Sequence, residues 1–87
     1  GLSWKAIASF NTIVIYMGLN NLPRLVSRLI DSGKSRQTPV VAVSKAGYIT
    51  QDTVRARLED IVERVKEKAI QPPSIFIIGK TAGLEKG

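Results

Sequence analysis

Few side chains in this 87-residue sequence could do covalent chemistry, and the missing ones narrow the field first. Cysteine and histidine are both absent, which removes cysteine nucleophiles, thiolate–zinc sites, disulfide frameworks and imidazole bases. Asp60, Glu63 and Glu67 share a helical face, but Arg64 and Lys66 sit among them. That is the pattern of a solvated face, not of paired carboxylates for acid–base work. Tyr16 and Tyr48 can donate hydrogen bonds, although Tyr16 lies in a run that reads as core. Gly79-Lys80-Thr81 has the end of a phosphate loop, yet the earlier glycine that loop needs is replaced by Ser74, and no helix follows. No catalytic residue and no metal-ligand set is assigned. What remains is a place to bind. Thr12 to Tyr16 are β-branched or aromatic, which suits a strand buried on both faces. Met17 and Gly18 end the run, and Asn20 or Asn21 can cap a helix with Pro23 in its first turn. Free backbone N–H groups gather where such a strand feeds a helix, so Met17 to Asn21 is the candidate site.

The elements that must hold this turn follow from periodicity. Trp4, Ile7 and Phe10 recur at helical spacing, predicting a short amphipathic helix with its aromatic edge on the sheet. Leu22, Leu25, Val26, Leu29 and Ile30 mark one face of a helix over Asn21–Ser32, with Arg24, Ser27 and Arg28 on its wet side. Gly33 is placed to stop it. Lys34 to Thr38 reads as a polar loop, Pro39 opens a strand over Val40–Val43, and Ser44 to Tyr48 reads as a turn. A third strand falls within Ile49–Leu58, with Ile49, Val54 and Ala56 inward. Leu58, Ile61, Val62, Val65 and Ala69 mark a further helical face, and Asp60 and Arg64, on the exposed side, are spaced to pair. After Pro72-Pro73 comes a strand over Ser74–Ile78, then a polar tail. Strand, helix, strand, strand, helix, strand is the order of a compact α/β domain, and a mixed sheet is expected.

Thirteen Lys and Arg against seven Asp and Glu give a net charge of +6, which attracts polyanions such as nucleic acid or substrates with several carboxylates. The cations are scattered from Lys5 to Lys86, as on ordinary wet faces. A βαββαβ order with positive charge is also that of RNA-recognition modules, which stack bases on strand aromatics. Ile49 to Leu58 carries no aromatic, so base reading is not expected, and electrostatic contact alone stays open. No apolar stretch is long enough to span a membrane, and no secretory signal opens the chain. Gly1 starts without an initiator methionine, as an internal segment would. Lack of cysteine is compatible with the cytoplasm, where the protein is expected.

Tyr16-Met17-Gly18 closing a strand, then Leu19-Asn20-Asn21-Leu22-Pro23, resembles the second half of the tetrapyrrole (corrin/porphyrin) methylases, and within them the uroporphyrinogen-III C-methyltransferases. Leu29-Ile30-Asp31-Ser32-Gly33, Thr38-Pro39-Val40-Val41, Gln51 with Val54 and Leu58, and Pro72 to Gly79 continue the resemblance across nearly the whole chain. It implies that residues 1–87 form a single domain, the C-terminal half of a two-domain enzyme. That enzyme would methylate uroporphyrinogen III with S-adenosylmethionine, in the synthesis of sirohaem and cobalamin precursors. The glycine-rich loop and proton-transfer groups of such enzymes belong to the first domain, so this chain would supply one wall of the cofactor cleft and be inactive alone. The resemblance places cofactor contacts at Met17 and at Ala46, where the family usually has glycine; Gly47 could serve after a one-residue slip. Implied partners are the tetrapyrrole substrate, the missing N-terminal domain and a second copy in a homodimer. The alternative is a small basic interaction module of the same fold, without catalysis.

Overall fold

The computed structural model describes residues 3–44, 53–70 and 74–79. Helix α1 spans Trp4–Ala8, strand β1 Thr12–Met17, a 3-10 turn Leu19–Asn21, and helix α2 Leu22–Asp31. Strands β2 (Pro39–Ser44) and β3 (Thr53–Arg57), helix α3 (Ile61–Glu67) and strand β4 (Ser74–Gly79) complete it. The α/β class and the βαββαβ order are as the sequence predicts.

The four strands lie in the order β1-β4-β2-β3, and every neighbouring pair is antiparallel. The expected mixed sheet is therefore corrected. Each helical crossover does join two strands running the same way, as such a connection must. But the β1–α2–β2 crossover passes over β4, and the β3–α3–β4 crossover passes over β2, so no parallel pair becomes adjacent.

Register sorts the side chains into two faces. Ile15, Phe76, Ala42 and Val54 form one row across the sheet, and Ile13, Ile78, Val40 and Ala56 the next. These rows meet Leu22, Leu25, Val26 and Leu29 of α2 and Ile61 and Val65 of α3 in one core. Leu29, Ala42, Leu58, Ile61 and Phe76 are wholly enclosed. The opposite face is different. Val14 and Tyr16 are 65% and 64% exposed, so β1 is not the doubly buried strand its composition predicts. It is an edge strand, and only Ile13, Ile15 and Met17 turn inward.

α1 is capped by Ser3, whose hydroxyl accepts the Ala6 N–H at 3.1 Å. Its aromatic edge does not lie on the sheet as expected. Ala8 joins the core and Ile7 packs against it, while Trp4 and Phe10 stay partly exposed and Arg28 of α2 stacks over the Trp4 ring at 5.7 Å. Helix α2 stops as the sequence predicts. Gly33 takes φ +112°, its N–H donates to Ile30, and the Lys34 N–H donates to Leu29, closing the last turn. Gly79 also has φ +135°, and a Cβ there would meet the Asn11 carbonyl oxygen at 1.9 Å. Its role is close approach of two backbones, not phosphate binding. Ile49, the Ser44–Tyr48 turn beyond Ser44, Pro72-Pro73 and the tail from Thr81 lie outside the described residues.

Candidate functional site

Met17 ends β1 in register with Ser74 of β4, which is itself in register with Ser44 of β2. One row thus closes this end of the sheet, and the chain leaves β1 and β2 at the same side. Met17 is half-buried, its side chain packed against the core. Two strand spacings, about 10 Å, separate it from Ser44. Ala46 and Gly47, the second expected contact, lie outside the described residues, two and three positions beyond Ser44.

After Met17 the chain turns without a side-chain cap. Gly18 is extended at φ −79° and ψ 163°, the 3-10 turn follows, and the Leu22 N–H donates to the Leu19 carbonyl. Neither asparagine caps α2 through its side chain, contrary to expectation. The 3-10 turn winds the chain into the helix instead, and Pro23 has no N–H to satisfy. The amides of Gly18, Leu19 and Asn20 consequently find no acceptor among the described residues. Three donors and a thioether therefore meet at one corner of the sheet.

Ser44 and Ser74 are the residues that sequence reasoning passed over. They are 3% and 0% exposed, each with a polar partner, and no buried side-chain polar atom among the described residues lacks one. Two hydroxyls thus floor this end of the sheet beside Met17. The signal was available: each serine ends an apolar run at a position whose parity faces the core.

The electrostatics are plain. No acid occupies the first turn of α2. No cluster of metal-ligating side chains occurs among the described residues. The carboxylates of α3 sit elsewhere, and Arg64 pairs with Glu67 at 4.0 Å, not with Asp60. Among the described residues this corner offers backbone amide donors, a thioether and two serine hydroxyls, groups suited to binding and orienting a ligand.

Two hollows lie away from Met17. One, of about 320 Å³, is at the other end of the sheet, between the segments around Phe10, Lys34 and Thr38. Lys34 donates there to the Phe10 carbonyl at 2.5 Å, and desolvation lowers its pKa below the usual lysine value. The other, of about 420 Å³, flanks β3 and α3 and is edged by Arg55, Arg64, Glu67 and Lys68.

Residues 2–62 match the family model of the tetrapyrrole (corrin/porphyrin) methylases. A siroheme synthase of Psychrobacter sp. (strain PRwf-1) is 38% identical over 73 residues, covering 84% of this chain and 15% of that protein. The uroporphyrinogen-III C-methyltransferase of Priestia megaterium is 36% identical over 80 residues, or 91% of this chain and 34% of that protein. In three dimensions the chain resembles a uroporphyrin-III C-methyl transferase from Thermus thermophilus complexed with S-adenyl homocysteine, with a TM-score of 0.79 and 24% identity. That likeness covers 95% of this chain and 37% of the other, and it concerns the fold. The chain thus spans 15% and 34% of the two relatives in length.

Proposed function

The chain belongs to the tetrapyrrole (corrin/porphyrin) methylases, and we propose that it supplies one wall of an S-adenosylmethionine site in a uroporphyrinogen-III C-methyltransferase. The observation that carries this is the corner at Met17: a half-buried thioether ends β1, and the amides of Gly18, Leu19 and Asn20 that follow it find no acceptor among the described residues. Such a corner fits a ligand with a flat apolar ring and several hydrogen-bond acceptors, which describes the donor. When bound, the donor supplies an electrophilic methyl group, and the acceptor is a tetrapyrrole carbon.

The residues of this chain bind and align. Met17 gives the ligand an apolar surface and the turn amides fix its polar edge, and Ala46 is the second contact that the family resemblance implies. Since methyl transfer depends on holding sulfonium and carbon in line, such positioning is itself a large part of catalysis. Nothing among the described residues takes the proton that the substrate carbon must lose. That role falls to the remainder of a longer protein, and the 87-residue chain alone is inactive.

Leu19→Pro tests the corner. Gly18 already has the extended conformation that a following proline requires, so the variant removes one amide without forcing the backbone. Leu19→Ala controls for the lost side chain. In a two-domain enzyme containing this sequence, S-adenosylhomocysteine should bind about tenfold more weakly to the proline variant than to the alanine variant, or ~1.4 kcal/mol. Equal affinities, with Met17→Ala also binding normally, would remove the corner from the site. Methylation of uroporphyrinogen III by the isolated chain would overturn the division of labour.

A further inference from the structure

A cationic hollow opens at the same end of the sheet as Met17, on the opposite edge. Strand β3 is the outer strand there, and α3 runs back over it, so the last turn of the helix stands beside the start of the strand. Thr53 is in register with Val43, one residue before the Ser44 that shares a row with Met17. The hollow, of about 420 Å³, has Thr53, Val54 and Arg55 on its strand side and Arg64, Glu67 and Lys68 on its helix side. Val54 is buried, while both arginines, Glu67 and Lys68 are exposed. Three cations thus meet one carboxylate, which stands 4.0 Å from Arg64. Cations in the last turn of a helix are ordinary, since they offset its dipole. Arg55 has no such reason to be there, because it comes from the neighbouring strand.

We propose that this hollow takes carboxylate arms of the tetrapyrrole substrate, and so selects an acidic macrocycle and sets its rotation relative to Met17. The proposal rests on the reading of the Met17 corner as the methyl-donor site. Three strand spacings, about 14 Å, separate β1 from β3. Uroporphyrinogen III carries an acetate and a propionate on every pyrrole. With one ring carbon held near the corner, its far arms extend over such a distance. Arginine meets a carboxylate through two parallel N–H bonds, and lysine adds a point charge.

Exposure sets the strength. These side chains stand in water, so each ion pair changes affinity by about fivefold at most, and several must act together. Nucleic acid, the other polyanion that a basic chain attracts, is held by base stacking as well as by phosphate contacts. The exposed aromatic side chains among the described residues are Trp4, Phe10 and Tyr16, and none of them is on β3 or α3. A molecule whose own acidic arms reach the cations fits the hollow better.

Equilibrium binding to a two-domain enzyme containing this sequence decides it, with uroporphyrin III, the stable oxidised form of the substrate, and S-adenosylhomocysteine as separate ligands. Arg55→Gln combined with Lys68→Gln should weaken uroporphyrin binding about tenfold and leave S-adenosylhomocysteine affinity unchanged. Glu67→Gln, which removes the hollow's carboxylate, should tighten uroporphyrin binding about twofold. Lys5→Gln, at an exposed cation of α1, should change neither affinity, which separates the hollow from net charge. All four positions are exposed, so melting temperatures should match the parent. Unchanged uroporphyrin affinity in the double variant, beside normal S-adenosylhomocysteine binding, overturns the hollow and leaves the corner standing. So does an equal loss in Lys5→Gln. A parent enzyme that does not bind S-adenosylhomocysteine strikes the corner and takes this proposal with it. A double variant that loses single-stranded RNA and keeps uroporphyrin assigns the hollow to nucleic acid instead.

Discussion

The chain turns from strand to helix twice along its two crossovers, and the two turns do opposite things with their backbone. After β3 the amides are used up. The Leu58 N–H donates to Thr38 at 2.8 Å, Glu59 to Arg36 at 3.1 Å and Asp60 to Arg57 at 2.9 Å, while the Gln37 side-chain amide donates to the Glu59 carboxylate. After β1 the Gly18, Leu19 and Asn20 amides have no such acceptors among the described residues. The difference is what lies alongside. The β3 turn passes the loop that leads into β2, its own hairpin partner, and that loop supplies carbonyls. β1 is the other edge of the sheet, and no described loop runs beside its end. Topology, more than a turn's own residues, therefore decides whether its donors stay unspent, which is what the proposed binding corner requires.

The largest effect expected concerns the seam between the two crossover units, where the end of β4 meets the start of β1. Gly79→Ala must move the Asn11 backbone, because its Cβ would fall 1.9 Å from that carbonyl oxygen, and φ +135° is strained for any other residue. We expect a loss of about 3–5 kcal/mol in a urea or thermal melt, from overpacking plus backbone strain. A variant as stable as the parent would mean that the two units are not joined there.

Next in size is the contrast between the turns. Hydrogen exchange of the Leu58 and Glu59 amides should be at least about a hundredfold slower than that of Leu19 and Asn20, or ~2.7 kcal/mol in local opening. In a two-domain enzyme, S-adenosylhomocysteine should slow the second pair and leave the first unchanged. Equal protection of all four without ligand would dissolve the comparison.

Much of this was legible beforehand because the pattern was local. The i, i+3, i+4 spacing from Leu22 to Ile30, Gly33 as the stop and the Pro39 start of β2 all depend on neighbours in sequence. Strand direction in the sheet was not local. It depends on which strand each crossover skips, and nothing in the residues of α2 says that β4 will fill the gap. The face of β1 was misread for the same reason: Thr12 to Tyr16 has the composition of a central strand, but its place at the edge is set by the pairing of Ser74–Gly79. At the site, Met17 and its turn could be located from residue types. The buried serines needed register, since Ser44 and Ser74 gain meaning only when aligned with Met17 in one row.

The two crossover helices also end alike, and this gives a finer test. In α2, Gly33 follows the last turn with φ +112° and nothing near its missing Cβ. Gly33→Ala therefore costs only backbone strain, partly offset by a stiffer unfolded chain, for a net loss of about 1 kcal/mol. A neutral result would show that the turn after α2 can relax.

At the end of α3 the same hydrogen bonds recur around a residue that suits them less well. The Ala69 N–H donates to Lys66 at 3.1 Å and the Ile70 N–H to Val65 at 3.2 Å, with Val65 and Ile70 both buried. Ala69 has φ +52°, the one positive value held by a residue other than glycine among those described. Left-handed backbone costs alanine roughly 1–2 kcal/mol, whereas glycine there adds about 0.5–1 kcal/mol of unfolded-chain entropy. Ala69→Gly should thus stabilise the fold by about 0.5 kcal/mol, the opposite sign from Gly33→Ala at the matching position. In a domain of this size that raises the melting temperature by about 2–4 °C. A fall in melting temperature would mean that the alanine methyl makes a compensating contact, and that the two helix ends resemble each other in hydrogen bonding alone.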